Sequence, residues 1–79
     1  MGPEESFEQF KECAVEVLQV DPAKVVPQAR FAEDLDADSL DLVELVMALE
    51  ERFGIDVPES ELEGVETVEQ AFKVVSSKL

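Results

Sequence analysis

Ser39 stands in Asp36-Ala37-Asp38-Ser39-Leu40-Asp41, where an acidic segment runs into a pattern of helical periodicity. Three chemistries could use such a cluster. A nucleophilic serine needs a base within hydrogen-bond reach, but the chain has no His and no Lys near Ser39 in sequence. Acid–base catalysis by paired carboxylates needs a cleft that raises one pKa, and acids this dense read as solvent-facing. Asp34-x-Asp36-x-Asp38 opens like a calcium-binding EF-hand loop. Counted from Asp34, however, the position requiring Gly is Ser39 and the position requiring Glu is Leu45. What survives is an exposed hydroxyl at a helix start, better suited to being modified by another protein than to performing chemistry.

Composition narrows the field further. Seventy-nine residues are enough for one domain with a modest core. Cys13 is the only cysteine, so an internal disulfide is excluded, and with no His a zinc site is excluded too. Helix packing has to hold the fold. The net charge of −14 opposes binding to nucleic acid or an anionic membrane and calls for basic partners. Between Glu33 and Glu69 there are fourteen acids and a single base, Arg52. No segment reads as a membrane span or a signal peptide. Met1-Gly2-Pro3-Glu4-Glu5-Ser6 formally fits an N-myristoylation pattern. Pro3 and two acids crowd it and no basic patch adds a second membrane signal, so residues 1–4 read as a disordered start.

The elements that would position Ser39 follow from periodicity and caps. A first helix is expected over Glu5–Gln19, with Phe7, Phe10, Ala14, Val17 and Leu18 on one stripe and Cys13 beside it as a small core residue. Asp21-Pro22 pairs an N-cap with Pro at N1 and opens a single turn over Ala23–Val25. A long connection, Pro27–Asp38, follows, with Val26, Phe31 and Leu35 as anchors to the core; a connection of that length in so small a domain is often functional. The second helix is expected over Ser39–Phe53, capped by Asp38 and stopped by Gly54. Ile55–Pro58 reads as loop and Glu59–Glu63 as a short helix ended by Gly64. Thr67 and Gln70 form a capping box ahead of a last helix carrying Val68, Ala71, Phe72, Val75 and Leu79 on one face. The fold class is all-α: a small bundle of three main helices plus one short one.

The second helix is apolar on two sides. Leu42, Leu45, Val46, Leu49 and Phe53 share one sector, whereas Leu40, Val43 and Met47 share another more than 100° away. Glu44 and Glu51 flank this second stripe on one side and Glu50 lies on the other. Both stripes could be core. In so small a bundle, though, an apolar stripe rimmed by acids suits docking, with apolar contact for affinity and charge for steering. Residue physics alone leaves a covalent carrier and a non-covalent interaction module unranked.

The run from Phe31 to Glu51, continuing through Phe53-Gly54-Ile55-Asp56-Val57-Pro58 to Thr67-Val68, strongly resembles the acyl carrier proteins in motif, size and acidity. The resemblance implies that Ser39 of the Asp-Ser-Leu motif carries 4′-phosphopantetheine, attached from coenzyme A by a phosphopantetheinyl transferase. Acyl groups would ride on the arm as thioesters, and the chain would be a carrier rather than an enzyme. It implies partner-binding residues at Asp38, Leu40, Asp41, Val43, Glu44, Met47, Glu50 and Glu51, a set that contains the second stripe and its rim. Synthase, reductase, dehydratase and acyltransferase partners with basic patches would meet them. The acyl chain would shelter between helices beside Phe31, Leu49, Val57, Leu62, Val65 and Ala71. The expectation is a cytoplasmic, monomeric carrier spanning residues 1–79, serving fatty acid biosynthesis or, as the runner-up, a polyketide or other specialised pathway. Asp36 departs from the family, where many relatives have Gly. Arg52 puts a cation on the acidic helix, with narrowed partner choice as the expected result.

Overall fold

The computed structural model describes residues 2–79. Three α-helices carry the fold: α1 (Pro3–Leu18), α2 (Ser39–Phe53) and α3 (Val68–Ser77). Two 3-10 turns, Pro22–Lys24 and Glu59–Leu62, stand in the connections. The short helix expected over Glu59–Glu63 is thus a 3-10 turn. It leads into Gly64, whose φ of 78° lies in the left-handed region that glycine enters without strain. The helix content agrees with the all-α reading.

α1 begins earlier than expected. Pro3 and Glu4 lie in its first turn, where Pro loses nothing by lacking an N–H and the acids Glu4 and Glu5 face the positive end of the helix dipole. Pro3 and Glu4 thus belong to a helix where a disordered start was expected, and Met1 lies outside the described residues. The helix ends as Gln19 turns left-handed, φ 54°, and donates its N–H to the Val15 carbonyl.

α1 packs most extensively on α2. Phe10, Ala14, Leu45, Leu49 and Val68 are completely or almost completely buried at the centre, with Cys13, Ala71 and Val75 around them. Truncating a buried Leu such as Leu45 to Ala costs about 2–5 kcal/mol, so this contact accounts for much of the stability. Phe7, Phe10 and Phe72 form an aromatic trio. Phe72 meets Phe7 edge-on at 5.1 Å and Phe10 at 5.7 Å, a favoured quadrupole arrangement.

The long connection is pinned rather than free. Asp21 accepts the Ala23 N–H at 2.9 Å, which makes the expected cap. Phe31 and Leu35 are buried as expected, but Val26 is 41 % exposed, and Val25, Ala29 and Ala37 take inward positions instead. The Val25 N–H bonds the Pro22 carbonyl at 3.1 Å, which closes the 3-10 turn with Val25 inward and leaves Val26 outward. Backbone bonds tie the connection to the start of α3: Phe31 N–H to Glu66 O at 2.9 Å, Val68 N–H to Ala29 O at 2.9 Å, and Glu69 N–H to Pro27 O at 3.0 Å. Arg30 and Thr67 form an isolated antiparallel bridge. At the other end of the fold Leu79 is exposed beyond the last turn of α3 and does not join its buried face.

Candidate functional site at the start of helix α2

Ser39 is placed by the backbone on both sides of it. Upstream, the Phe31 carbonyl accepts the Ala37 N–H at 2.8 Å and closes the loop on itself. Asp36 meets that closure with a left-handed φ of 54°, a conformation Asp tolerates better than most side chains. Downstream, Asp38 and Asp41 form a reciprocal capping box. Asp38 Oδ1 accepts the Asp41 N–H at 2.9 Å, and Asp41 Oδ2 accepts the Asp38 N–H at 3.1 Å. Ser39 is the first residue of α2, exposed, and its hydroxyl takes part in no hydrogen bond among the described residues.

The two stripes of α2 separate as their spacing requires. Leu45, Val46 and Leu49 are buried and Leu42 and Phe53 are half-buried, whereas Leu40 and Met47 are 65 % and 60 % exposed, with Val43 half-buried between them. The apolar face next to Ser39 therefore looks outward.

Of the acids around that face, Glu44 and Glu51 are exposed. Glu50 is half-buried and its Oε2 accepts the Val57 N–H at 2.8 Å, holding the segment after Gly54 against α2. Arg52 turns away from the outward face and reaches Glu12 on α1 at 3.1 Å. That hydrogen bond, with smaller contributions from nearby charge, raises the Arg52 pKa. Its charge thus bridges two helices, a use the sequence left unread.

Two clefts border Ser39. One, of about 320 Å³, runs past Arg30, Phe31, Ala37 and Val65. The other, of about 440 Å³, runs past Val43, Glu59, Leu62 and Glu63. Ser39 and Leu42 line both.

The family described as "Phosphopantetheine attachment site" matches residues 8–73. An acyl carrier protein of Thermosynechococcus vestitus is 49 % identical over 79 residues, covering 100 % of this chain and 98 % of the relative. Those of Helicobacter hepaticus and Rubrobacter xylanophilus are each 49 % identical, covering 92 % and 95 % of this chain and 96 % and 93 % of the relatives. The chain belongs to the acyl carrier proteins.

As an acyl carrier protein it is a carrier and not a catalyst, and its prosthetic group is covalently attached 4′-phosphopantetheine. The site fits such a group. A free, exposed hydroxyl stands at a helix N-terminus, where the N–H groups of Ser39 and Leu40 have no intrahelical carbonyl to bond and favour a phosphodiester anion. Two partly apolar clefts beside it offer an arm somewhere to lie.

The six residues expected around the acyl chain do not line one cavity. Phe31 and Val65 face the first cleft and Leu62 the second, while Leu49 and Ala71 lie in the closed core and Val57 is buried beneath the Glu50 contact. Sequence reasoning passed over Leu42 and Arg30 as neighbours of Ser39. Leu42 was within reach, since it follows Ser39 by three positions, one helical turn. Arg30 was not, because a closed loop brings it there.

Cys13 is buried on α1. Burial pushes its thiol pKa up, nearby Glu16 and Glu12 add to the rise, and Arg52 opposes it. A protonated, enclosed thiol is a packing group, as its apolar setting suggested. Among the described residues no acidic or thiol cluster is arranged to hold a metal ion, and no helix is long and apolar enough to cross a membrane.

Proposed function

We propose that Ser39 Oγ is the attachment point of the phosphopantetheine arm and that residues 1–79 act as one acyl-carrier unit in fatty acid biosynthesis. The observation that supports this reading is the placement of Ser39: exposed, unengaged and first in α2. Other serines are less apt. Ser6 is buried with its hydroxyl donating to the Gly2 carbonyl, and the Ser77 hydroxyl donates to the Val74 carbonyl. Ser60 and Ser76 are exposed too, but Ser60 lies in a 3-10 turn and Ser76 in the last turn of α3, so neither offers an α-helix N-terminus to a phosphodiester. When bound, the group supplies a terminal thiol that holds acyl chains as thioesters.

The chain's own residues then present and steer. Both neighbouring carboxylates, Asp38 and Asp41, are committed to capping, and there is no His. The base that takes the Ser39 proton therefore belongs to the transferase. Leu40, Val43 and Met47 supply the apolar contact for partner enzymes, with Met47 adaptable to several of them. Glu44 and Glu51 steer basic patches onto the same face. The partners are a phosphopantetheinyl transferase and synthase, reductase, dehydratase and acyltransferase enzymes. A monomer in the cytoplasm, with a charge of −14 that keeps it from nucleic acid and anionic membrane, suits this role.

The test is intact mass after incubation with coenzyme A and a phosphopantetheinyl transferase. One phosphopantetheinyl addition is expected in the wild type and none in Ser39→Ala. An addition that persists in Ser39→Ala overturns the assignment. The pathway is tested by acylating the arm and comparing turnover by condensing enzymes of fatty acid and polyketide synthesis.

A further inference from the structure

The two clefts at Ser39 differ in chemistry. The second sets the carboxylates of Glu59 and Glu63 beside apolar Leu42, Val43 and Leu62, and has no cation. The first has apolar walls from Phe31, Ala37 and Val65 and the acids Glu33, Asp38 and Glu66, but it also contains Arg30, the one Lys or Arg lining either cleft. Arg52, Lys73 and Lys78 are occupied elsewhere, by Glu12, Glu69 and Glu61.

Arg30 is fixed at its backbone and loose at its tip. Its N–H donates to Asp34 Oδ2 at 2.7 Å, and its carbonyl accepts the Asp34 N–H at 2.8 Å and the Leu35 N–H at 3.2 Å. Its bridge to Thr67 adds a tie to α3. The guanidinium, by contrast, meets only Glu33, at 3.4 Å, and both side chains are more than half exposed. A pair that long and that exposed is weak and easily exchanged for a better anion. A phosphodiester is such an anion: permanently charged, and matched to the guanidinium fork.

We propose that, once Ser39 is modified, the Arg30 guanidinium leaves Glu33 for the phosphodiester and seats the arm in the Phe31–Val65 cleft rather than along Glu59 and Glu63. This rests on Ser39 being the attachment point. Arg30 is then a positioning residue for the arm. It supplies donors to the phosphodiester oxygens, and the cleft's apolar walls take the arm's dimethyl-bearing carbon. It also offsets the charge that modification adds to a chain already at −14.

The experiment compares apo and modified forms of wild type, Arg30→Gln, Arg30→Lys and Glu33→Gln, each checked by intact mass. Thermal unfolding at low salt and ³¹P and NOE spectra of the modified forms are the readouts. Modification should leave the wild-type Tm nearly unchanged but lower that of Arg30→Gln by roughly 3 °C. Arg30→Lys should recover part of the loss, and high salt should remove the difference. Glu33→Gln, which frees Arg30, should make modification more favourable to stability than in wild type. The ³¹P resonance should move in Arg30→Gln, and wild-type arm methyls should show NOEs to Phe31 and Val65. An equal effect of modification on wild type and Arg30→Gln, or NOEs to Leu62 instead, overturns the proposal. A wild type that gains no mass refutes the Ser39 attachment itself; a mass gain without this coupling refutes only the role of Arg30.

Discussion

Asp38 and Asp41 each accept the other's backbone N–H, at 2.9 and 3.1 Å, with Ser39 between them. The acids flanking Ser39 are thus occupied in starting the helix that presents it. Asp38→Ala should cost about 1 kcal/mol, lowering Tm by about 4–8 °C, whereas Asp38→Asn should keep most of the cap. Urea unfolding of the two variants checks this. A transfer defect in Asp38→Ala that is absent in Asp38→Asn belongs to the cap and not to lost charge.

Glu50 has a comparable second role. Its carboxylate holds the Val57 N–H at 2.8 Å and fixes the chain after Gly54. Glu50→Ala should destabilise by about 1–2 kcal/mol, as for other hydrogen bonds to a charged group that is partly screened. It should also speed amide exchange at Val57. Glu50→Gln, which retains an acceptor, should change both only slightly.

Glu44 is the cleaner probe of docking, being exposed on the outward side of α2. Glu44→Lys should leave urea stability within about 0.5 kcal/mol of wild type. At low salt it should slow association with a basic partner enzyme by roughly threefold to tenfold. The gap should close as salt rises, because the Debye length shrinks. Stopped-flow association rates over a salt series test it.

Cys13 makes stability depend on pH in the alkaline range. Its folded pKa lies above the ordinary value, chiefly through burial. The folded state therefore keeps a proton that the unfolded chain gives up. The contribution is complete below roughly pH 8.5, the unfolded value, and declines as pH rises from there through the higher folded pKa. Urea unfolding between pH 7 and 10.5 should show a decline in wild type that is shallower in Cys13→Ala. That variant should be less stable at pH 7, from lost packing. The native thiol should also react slowly with a disulfide reagent until denaturant is added.

Much of the fold was legible because its signals are local. Asp38 before Ser39 and Gly54 after Phe53 bound α2 where the structure places it, since a cap and a left-handed glycine act on the nearest turn. Thr67 and Gln70 did the same for α3. The two stripes of α2 followed from 100° per residue, so the outward turn of Leu40 and Met47 was readable before any packing was known.

Wherever two distant segments meet, only tertiary structure decided. Val26 points out and Ala37 in because a 3-10 turn and bonds from Ala29 and Phe31 to Val68 and Glu66 set the register of the connection. Glu50 serves Val57, and Arg52 reaches Glu12 forty residues away. Arg30 joins the Ser39 cleft because the loop folds back on itself. Composition supplied the charge, and periodicity the helices and the outward stripe. Which charge meets which partner depends on contacts between segments far apart in the chain, and no local pattern encodes those distances.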